Sequence, residues 1–386
     1  MNYIKKASEI LEVNEKELKE FEVKDTFNND NKIVGVLCRR SDYRYGAMII
    51  FEVNEKEVEP QIIYGTPKLE YPFNKNGEFI WPEIKEIEVW DKLDGTNILS
   101  YKYYDIEGKE YLTYKTRLGP IISDTGYGSF LSMWKEMLEE HKWINNIIKM
   151  NPGWNLSFEL YGSRNPITVK YNSPLLVKLL FGIRSKDHVI RPPSQLNVLY
   201  VPLEYLPEFF SFNIFNISDP ENITKCYEFA RSRMSFKNKD ELLTEGMVFY
   251  AQTGQPSWRM FKCKPDEIQK IHWAASGVIQ KREIWNTAIN AFEDVEPDID
   301  YLKELLKEEY TEQMIYKSKV RIDKIFKEVT KHMRDVKKIN EAYIIAKDNG
   351  FDLRENKNET FRFLSKHFKK EEMKKVGTIL LNQIRG

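Results

Sequence analysis

Three cysteines in 386 residues, Cys38, Cys226 and Cys263, are too few and too scattered to build a disulfide framework or a zinc site. The five histidines show no ligand spacing. Net charge is absent as well: 59 Lys and Arg balance 59 Asp and Glu, so the whole-chain charge names no partner. No apolar run approaches the ~20 residues that span a bilayer. The longest, Leu175 to Ile183, is broken by Lys178 and Gly182. The opening Met1-Asn2-Tyr3-Ile4-Lys5-Lys6 passes into Glu-rich sequence without an apolar signal core, and neither a repeat nor a low-complexity linker follows. The expectation is a reducing, cytoplasmic setting with no membrane partner.

What the chain does have is a globular composition, with 41% hydrophobic, 13% aromatic and 31% charged residues. Its length favours two or three domains. Before Glu283 it reads mainly as strands, with β-rich runs at 32–39, 47–53, 84–90, 98–104, 111–116, 154–161, 177–183 and 246–251. Helical spacing interrupts them at 130–148 and near 224–234. After Pro265 the period is helical: Ile322, Ile325, Phe326, Val329, Met333 and Val336 fall on one apolar face, Gly350 closes that segment, and Phe361, Leu364, Phe368 and Met373 begin another. The predicted fold class is α+β, with a small α/β region over 1–65, a mixed body over 66–280 and a helical C-terminal domain over 281–386. Charge is uneven at that end. Residues 283–312 hold ten acids and two lysines, whereas 313–386 hold nineteen bases and ten acids, net +9. Such a basic helical face is a candidate for phosphate contact, and a solvated surface is the alternative.

The most informative tract is Glu88-Val89-Trp90-Asp91-Lys92-Leu93-Asp94-Gly95-Thr96-Asn97, where a β-rich run ends in a lysine before a glycine turn. A lysine fixed at a strand end can attack phosphorus once it has lost its proton, and nearby cations or a metal favour that loss. Asp94 would orient the lysine or a bound group, and Gly95 would let the backbone approach a nucleotide closely. A surface hairpin with Asp-Gly as its turn is the alternative. Four further tracts follow in fixed order. Lys115-Thr116-Arg117 lies 25 residues on from Lys92, Phe158-Glu159-Leu160-Tyr161-Gly162 puts a glutamate 67 on, and Leu180-Phe181-Gly182 puts an aromatic 22 after that. Then Glu245-Gly246-Met247-Val248 leads, after 17 residues, to Lys262-Cys263-Lys264.

In this order, over about residues 66–265, the chain resembles the covalent nucleotidyltransferase superfamily of ATP-dependent RNA ligases, DNA ligases and mRNA capping enzymes. Gly65-Thr66-Pro67-Lys68-Leu69, Thr116-Arg117-Leu118-Gly119 and the helical tail look most like the archaeal-type homodimeric RNA ligases. The resemblance implies an antiparallel-sheet nucleotidyltransferase body, ATP-grasp-like, that uses ATP and Mg²⁺ or Mn²⁺. It would join 5′-phosphate and 3′-hydroxyl RNA ends through lysyl-AMP and an adenylylated RNA end, with a homodimer as a further expectation. Lys92 is then the nucleophile, with Lys262 and Lys264 on the α-phosphate and Glu245 on the metal. Glu159 would accept from the ribose, Phe181 would stack on adenine, and Arg117 would grip a phosphate. Asp94 and Gly95 complete the nucleotide site, together with Asp91, which stands where the family usually has glutamate. Duller readings are a core Phe181, a solvated Lys262 and Lys264, and strand-end markers at Glu159 and Glu245. Rival functions are a DNA ligase or GTP-using capping enzyme, each of which needs an OB-fold after Lys264, and an inactive binder of nucleic-acid ends. Arg321-Ile322-Asp323-Lys324 matches a motif that DNA ligases carry on that OB-fold, but its helical apolar period marks it as helix surface.

Overall fold

The structure, a computed structural model, describes every residue except 1, 41, 75–76, 124–129, 166–170, 200, 212–216, 218, 236–244, 265–277, 280, 293–296, 308–309, 311, 354 and 386. The expected change to helix just after Pro265 and the expected boundary at residue 280 lie outside the described residues. The chain divides into two compact units. One is formed by Met1–Ile122, Trp134–Tyr171 and Leu175–Ile271; the other by Ser123–Met133, Asn172–Pro174 and His272–Gly386. The architecture is α+β with antiparallel sheets and a helical C-terminal region.

The first unit holds three sheets. Helix α1 (Tyr3–Leu11) precedes a meander of β1 (Leu18–Asp25), β2 (Asn31–Cys38), β3 (Met48–Val53) and β4 (Lys56–Ile63), paired in chain order. Alternation along β3 explains its two-sided burial. Ile49 and Phe51 pack with Ala7 and Leu11 of α1, while Met48 and Ile50 join Tyr101 and Tyr103 in a second cluster. Those tyrosines lie on the five-stranded sheet, ordered β10-β9-β8-β6-β7, of β6 (Thr96–Tyr104), β7 (Glu110–Lys115), β8 (Trp154–Tyr161), β9 (Leu176–Arg184) and β10 (Ile190–Arg191). The third sheet, β11-β5-β12-β13, contains β5 (Glu86–Lys92), β11 (Phe209–Phe210), β12 (Gly246–Gln252) and β13 (Trp258–Cys263).

Trp90, Val248 and Met260 from the third sheet meet Leu99, Phe181 and Ile183 from the second in one apolar cluster. On the other side of the third sheet, Val89, Phe249 and Phe261 pack with Ile223, Tyr227 and Ala230 of α4 (Pro220–Ser235). The expected helix over 130–148 is two helices, α2 (Phe130–Glu140) and α3 (Trp143–Met150), and Trp134 and Trp143 both pack against Phe158.

The second unit carries α5 (Lys281–Asn290), α6 (Ile299–Leu306), α7 (Glu312–Asp348), α8 (Lys357–Leu364) and α9 (Met373–Arg385). Ile322, Ile325, Val329 and Met333 of α7 are buried against Ile284, Phe292 and Leu302, as the apolar period requires. The Arg321-Ile322-Asp323-Lys324 tetrapeptide lies within α7, where the Arg321 guanidinium donates to the Ile279 carbonyl at 3.0 Å. Among the described residues, no helix is long and apolar enough to cross a membrane.

Candidate active site

Lys92 is the last residue of β5, and strand register decides what it meets. Antiparallel pairing sets Lys92 opposite Gly246 and Trp90 opposite Val248, while β12 sets Val248 opposite Lys262 and Met247 opposite Cys263. Strand residues alternate faces, so Lys92 and Lys262 share the phase of Trp90 and Val248, toward the cluster between the two sheets. Lys264 follows one residue beyond β13. Glu245 immediately precedes β12, and a sequence separation of 153 residues closes there: the Lys92 ammonium donates to Glu245 Oε2. Lys264 Nζ stands 4.0 Å from Glu245 Oε1. One carboxylate thus faces two lysines.

Glu159 comes from the second sheet, on β8 opposite Asn97, and is 8% exposed. Burial pushes its carboxyl up to about 8; Lys92 and Arg117 pull the other way, and Glu245 and Asp94 add to the rise. These five ionisable groups therefore sit within electrostatic reach of one another. Asp94 is buried, and its backbone N–H donates to Tyr171 Oη at 2.9 Å. The hairpin alternative for Asp94-Gly95 does not apply, because β5 and β6 belong to different sheets and the tract is a crossover between them. A Cβ on Gly95 would stand 2.4 Å from the Leu160 carbonyl oxygen. The close approach that the structure shows at Gly95 is therefore to β8.

Arg117 follows β7, and its position is tied from below by Lys115, which is fully buried. The Lys115 ammonium donates to the carbonyls of Gly46 (3.1 Å), Thr116 (2.8 Å) and Arg117 itself (3.1 Å). The Arg117 guanidinium lies 5.9 Å from the Tyr45 ring centre.

The remaining predicted residues are placed differently. Lys262 is 8% exposed with its ammonium 4.2 Å over the Tyr71 ring, so it is no solvated strand face. Phe181 packs with Trp90 and Val248 and keeps only 4% of its surface exposed. Asp91 pairs across with Met247, out of phase with Lys92, and its N–H donates to the Glu208 carbonyl at 2.9 Å. Sequence reasoning gave no role to Tyr171, Lys115 or the chain in which Thr66 Oγ1 donates to Asn97 Oδ1 (2.7 Å) and Asn97 Nδ2 to Ser157 Oγ (2.8 Å). Asn97 closes the quoted lysine tract, which is the one sequence signal that points to it, and Tyr171 has none.

Among the described residues, no group of three His, Cys, Asp or Glu side chains is arranged to hold a metal ion. Glu245 supplies a single hard carboxylate. That donor set fits Mg²⁺ or Mn²⁺ of the kind held chiefly by water and substrate phosphate oxygens, with one or two carboxylates.

A strand-end lysine paired to a carboxylate, flanked by a second lysine and an arginine, defines a site suited to anionic substrates and to transfer through an amine. No family model matches the sequence, and the comparison with curated proteins finds no match. Among solved structures, the chain is similar to an archaeal ATP-dependent RNA ligase at 14% identity and TM-score 0.45, covering 78% of this chain and 75% of that one. It is also similar to an Aquifex aeolicus protein described provisionally as an ATP-dependent DNA ligase, at 15% identity, TM-score 0.44, and 95% and 88% of the two chains. A Naegleria gruberi RNA ligase gives 14% identity and TM-score 0.35 over 53% and 56% of the chains. These likenesses are distant, and the functional reading rests on the side chains.

Proposed function

We propose that this chain is an ATP-dependent RNA ligase acting through lysyl-AMP, with residues 66–280 as its nucleotidyltransferase domain and 281–386 as a helical domain. The observation that carries the reading is the meeting of Lys92, Glu245 and Lys264 at the ends of three neighbouring strand segments, beside the buried Glu159. The Lys92 ammonium donates to Glu245, and attack on the ATP α-phosphate requires the neutral amine, whose proton passes to solvent as the neighbouring cations disfavour the charged form. Attack forms a phosphoramidate and expels pyrophosphate. The AMP then passes to an RNA 5′-phosphate, and a 3′-hydroxyl displaces AMP to form the phosphodiester.

Lys264 and Lys262 share the charge that builds on the phosphate oxygens, and Arg117 serves the RNA end or a phosphate. Glu159 and Phe181 line the nucleoside side, with Asp94 and Gly95 shaping the loop below it. Mg²⁺ or Mn²⁺ held at Glu245 would, when bound, neutralise phosphate charge.

The test is incubation with α-labelled ATP or GTP, followed by 5′-phosphorylated RNA and DNA ends, single-stranded and nicked. The expected result is ATP-derived label on Lys92 and sealing of RNA. Absence of covalent label on well-folded protein refutes the reading, and sealing confined to DNA makes the chain a DNA ligase instead.

A further inference from the structure

Helix α7 presents a straight basic row: Lys324, Lys327, Lys331, Arg334 and Lys338 recur at steps of three and four, and all five are exposed. At about 1.5 Å per residue the row is about 21 Å long, enough to run beside several successive phosphates of a strand. Its middle borders a cavity of about 430 Å³ in the second unit, edged by Lys327, Lys331, Arg334 and Asp335 with Phe326, Thr330 and Pro297 beneath them.

Two acids beside the row have cations of other helices as partners. Glu328 pairs with Lys281 at 3.0 Å and Asp335 with Lys375, both cations from other helices. Lys338, at the far end, leans toward Glu372 at 3.8 Å. Among the described residues, Glu328 and Asp335 are thus matched by cations outside the row, and Lys327, Lys331 and Arg334 of the row edge the cavity.

We infer that this row and its cavity form a docking site for the phosphate backbone of an RNA strand, separate from the Lys92 site. Lysines in single file over an apolar floor provide charge at phosphate spacing without a set of base-reading amides, so binding would be independent of sequence. The inference rests on the RNA-ligase reading for its choice of ligand, and its test separates the two.

The experiment uses the full chain carrying Lys327→Gln, Lys331→Gln and Arg334→Gln together, changes that retain helix propensity. A control carries Lys357→Gln, Lys366→Gln and Lys374→Gln, three exposed lysines elsewhere in the second unit. Binding of a 5′-phosphorylated RNA is followed by fluorescence anisotropy between 50 and 200 mM salt, and self-adenylation is measured in parallel.

The row variant should bind RNA at least about tenfold more weakly, and its log–log salt slope should be shallower by about 2, near 0.7 for each single-strand phosphate that the row no longer neutralises. Its adenylation rate should match wild type. An unchanged affinity and slope overturns the inference, as does an equal weakening in the control, which would mean diffuse charge rather than a site. Loss of binding to anionic phosphatidylserine vesicles with RNA binding intact assigns the row to a lipid surface and also overturns it. If RNA binding falls as expected but no form of the protein adenylates, the docking site stands and the ligase reading falls.

Discussion

Replacing Glu159 by glutamine keeps the shape of a buried side chain while removing its charge, which makes it a direct probe of the site's electrostatics. Burial places the carboxyl's folded-state pKa near 8, against an ordinary value of 4.5. Between those values the folded state binds the proton and the unfolded state does not. Stability from this group is therefore fully present below about pH 4.5 and drains away as pH rises through about 8, at about 1.4 kcal/mol per pH unit in between. Over the whole window that is roughly 4–5 kcal/mol, taken from a protein whose total stability is typically 5–15.

Urea unfolding of wild type and Glu159→Gln in nucleotide- and metal-free buffer, at pH 5.5, 6.5, 7.5 and 8.5, compares the two forms directly, since titrations of groups remote from the site cancel in the difference. The variant's stability relative to wild type should climb by about 3 kcal/mol from pH 5.5 to 8 and then level off. A difference that stays flat across this range would refute the reasoning, since Glu159 would then ionise as it does in water. The same substitution should weaken adenylation if the carboxylate accepts from the ribose, so the variant trades activity for stability.

Lys92→Ala should leave the fold intact and abolish covalent labelling from α-labelled ATP; labelling at wild-type level on folded protein would sink the nucleophile assignment. Lys264→Ala and Lys262→Ala should each slow adenylation by orders of magnitude, since one preorganised charge donor is worth ~3–4 kcal/mol at a transition state, and single-turnover rates read this directly. Normal rates in both would mean that other cations serve the phosphate. Lys115→Met removes an ammonium from three carbonyls and should destabilise the protein by about 3–5 kcal/mol in urea titrations. A loss below about 1 kcal/mol would mean that water replaces the ammonium there.

Strands with apolar alternation were legible in the sequence, and those without it were not. β2, β3, β5, β6, β7, β8, β9 and β12 each overlap an expected β-rich run, whereas β13, the two-residue β10 and β11, and the longer β1 and β4 fall outside those runs. Both are edge strands, β1 with the sequence LKEFEVKD and β4 with a proline inside it, so half their surface is polar and no core period shows. The long α7 was readable because one face is apolar along its length.

At the site, the tract order pointed to Lys92, Glu245 and Lys264, and register brings these three together. Lys115 stands in one of the quoted tracts but received no role, because a buried lysine held by carbonyls has no sequence signature; part of its environment comes from Gly46, on a different sheet's connection. Phe181, which the tract order assigns to the adenine, also belongs to an apolar cluster shared by two sheets, an environment no motif predicts.

The 153-residue span between Lys92 and Glu245 also has a consequence for the order in which the molecule is made. A chain leaving the ribosome displays Lys92 long before Glu245 exists, and β5 waits for β12 to emerge before its pairing along that edge can form. In that interval the strand EIEVWDK shows Glu86, Glu88, Asp91 and Lys92 among its apolar residues, charges that discourage it from pairing with a neighbouring nascent chain. Any fragment that stops before residue 245 therefore contains Lys92 without the carboxylate that pairs with it, so this cluster is completed only late in translation.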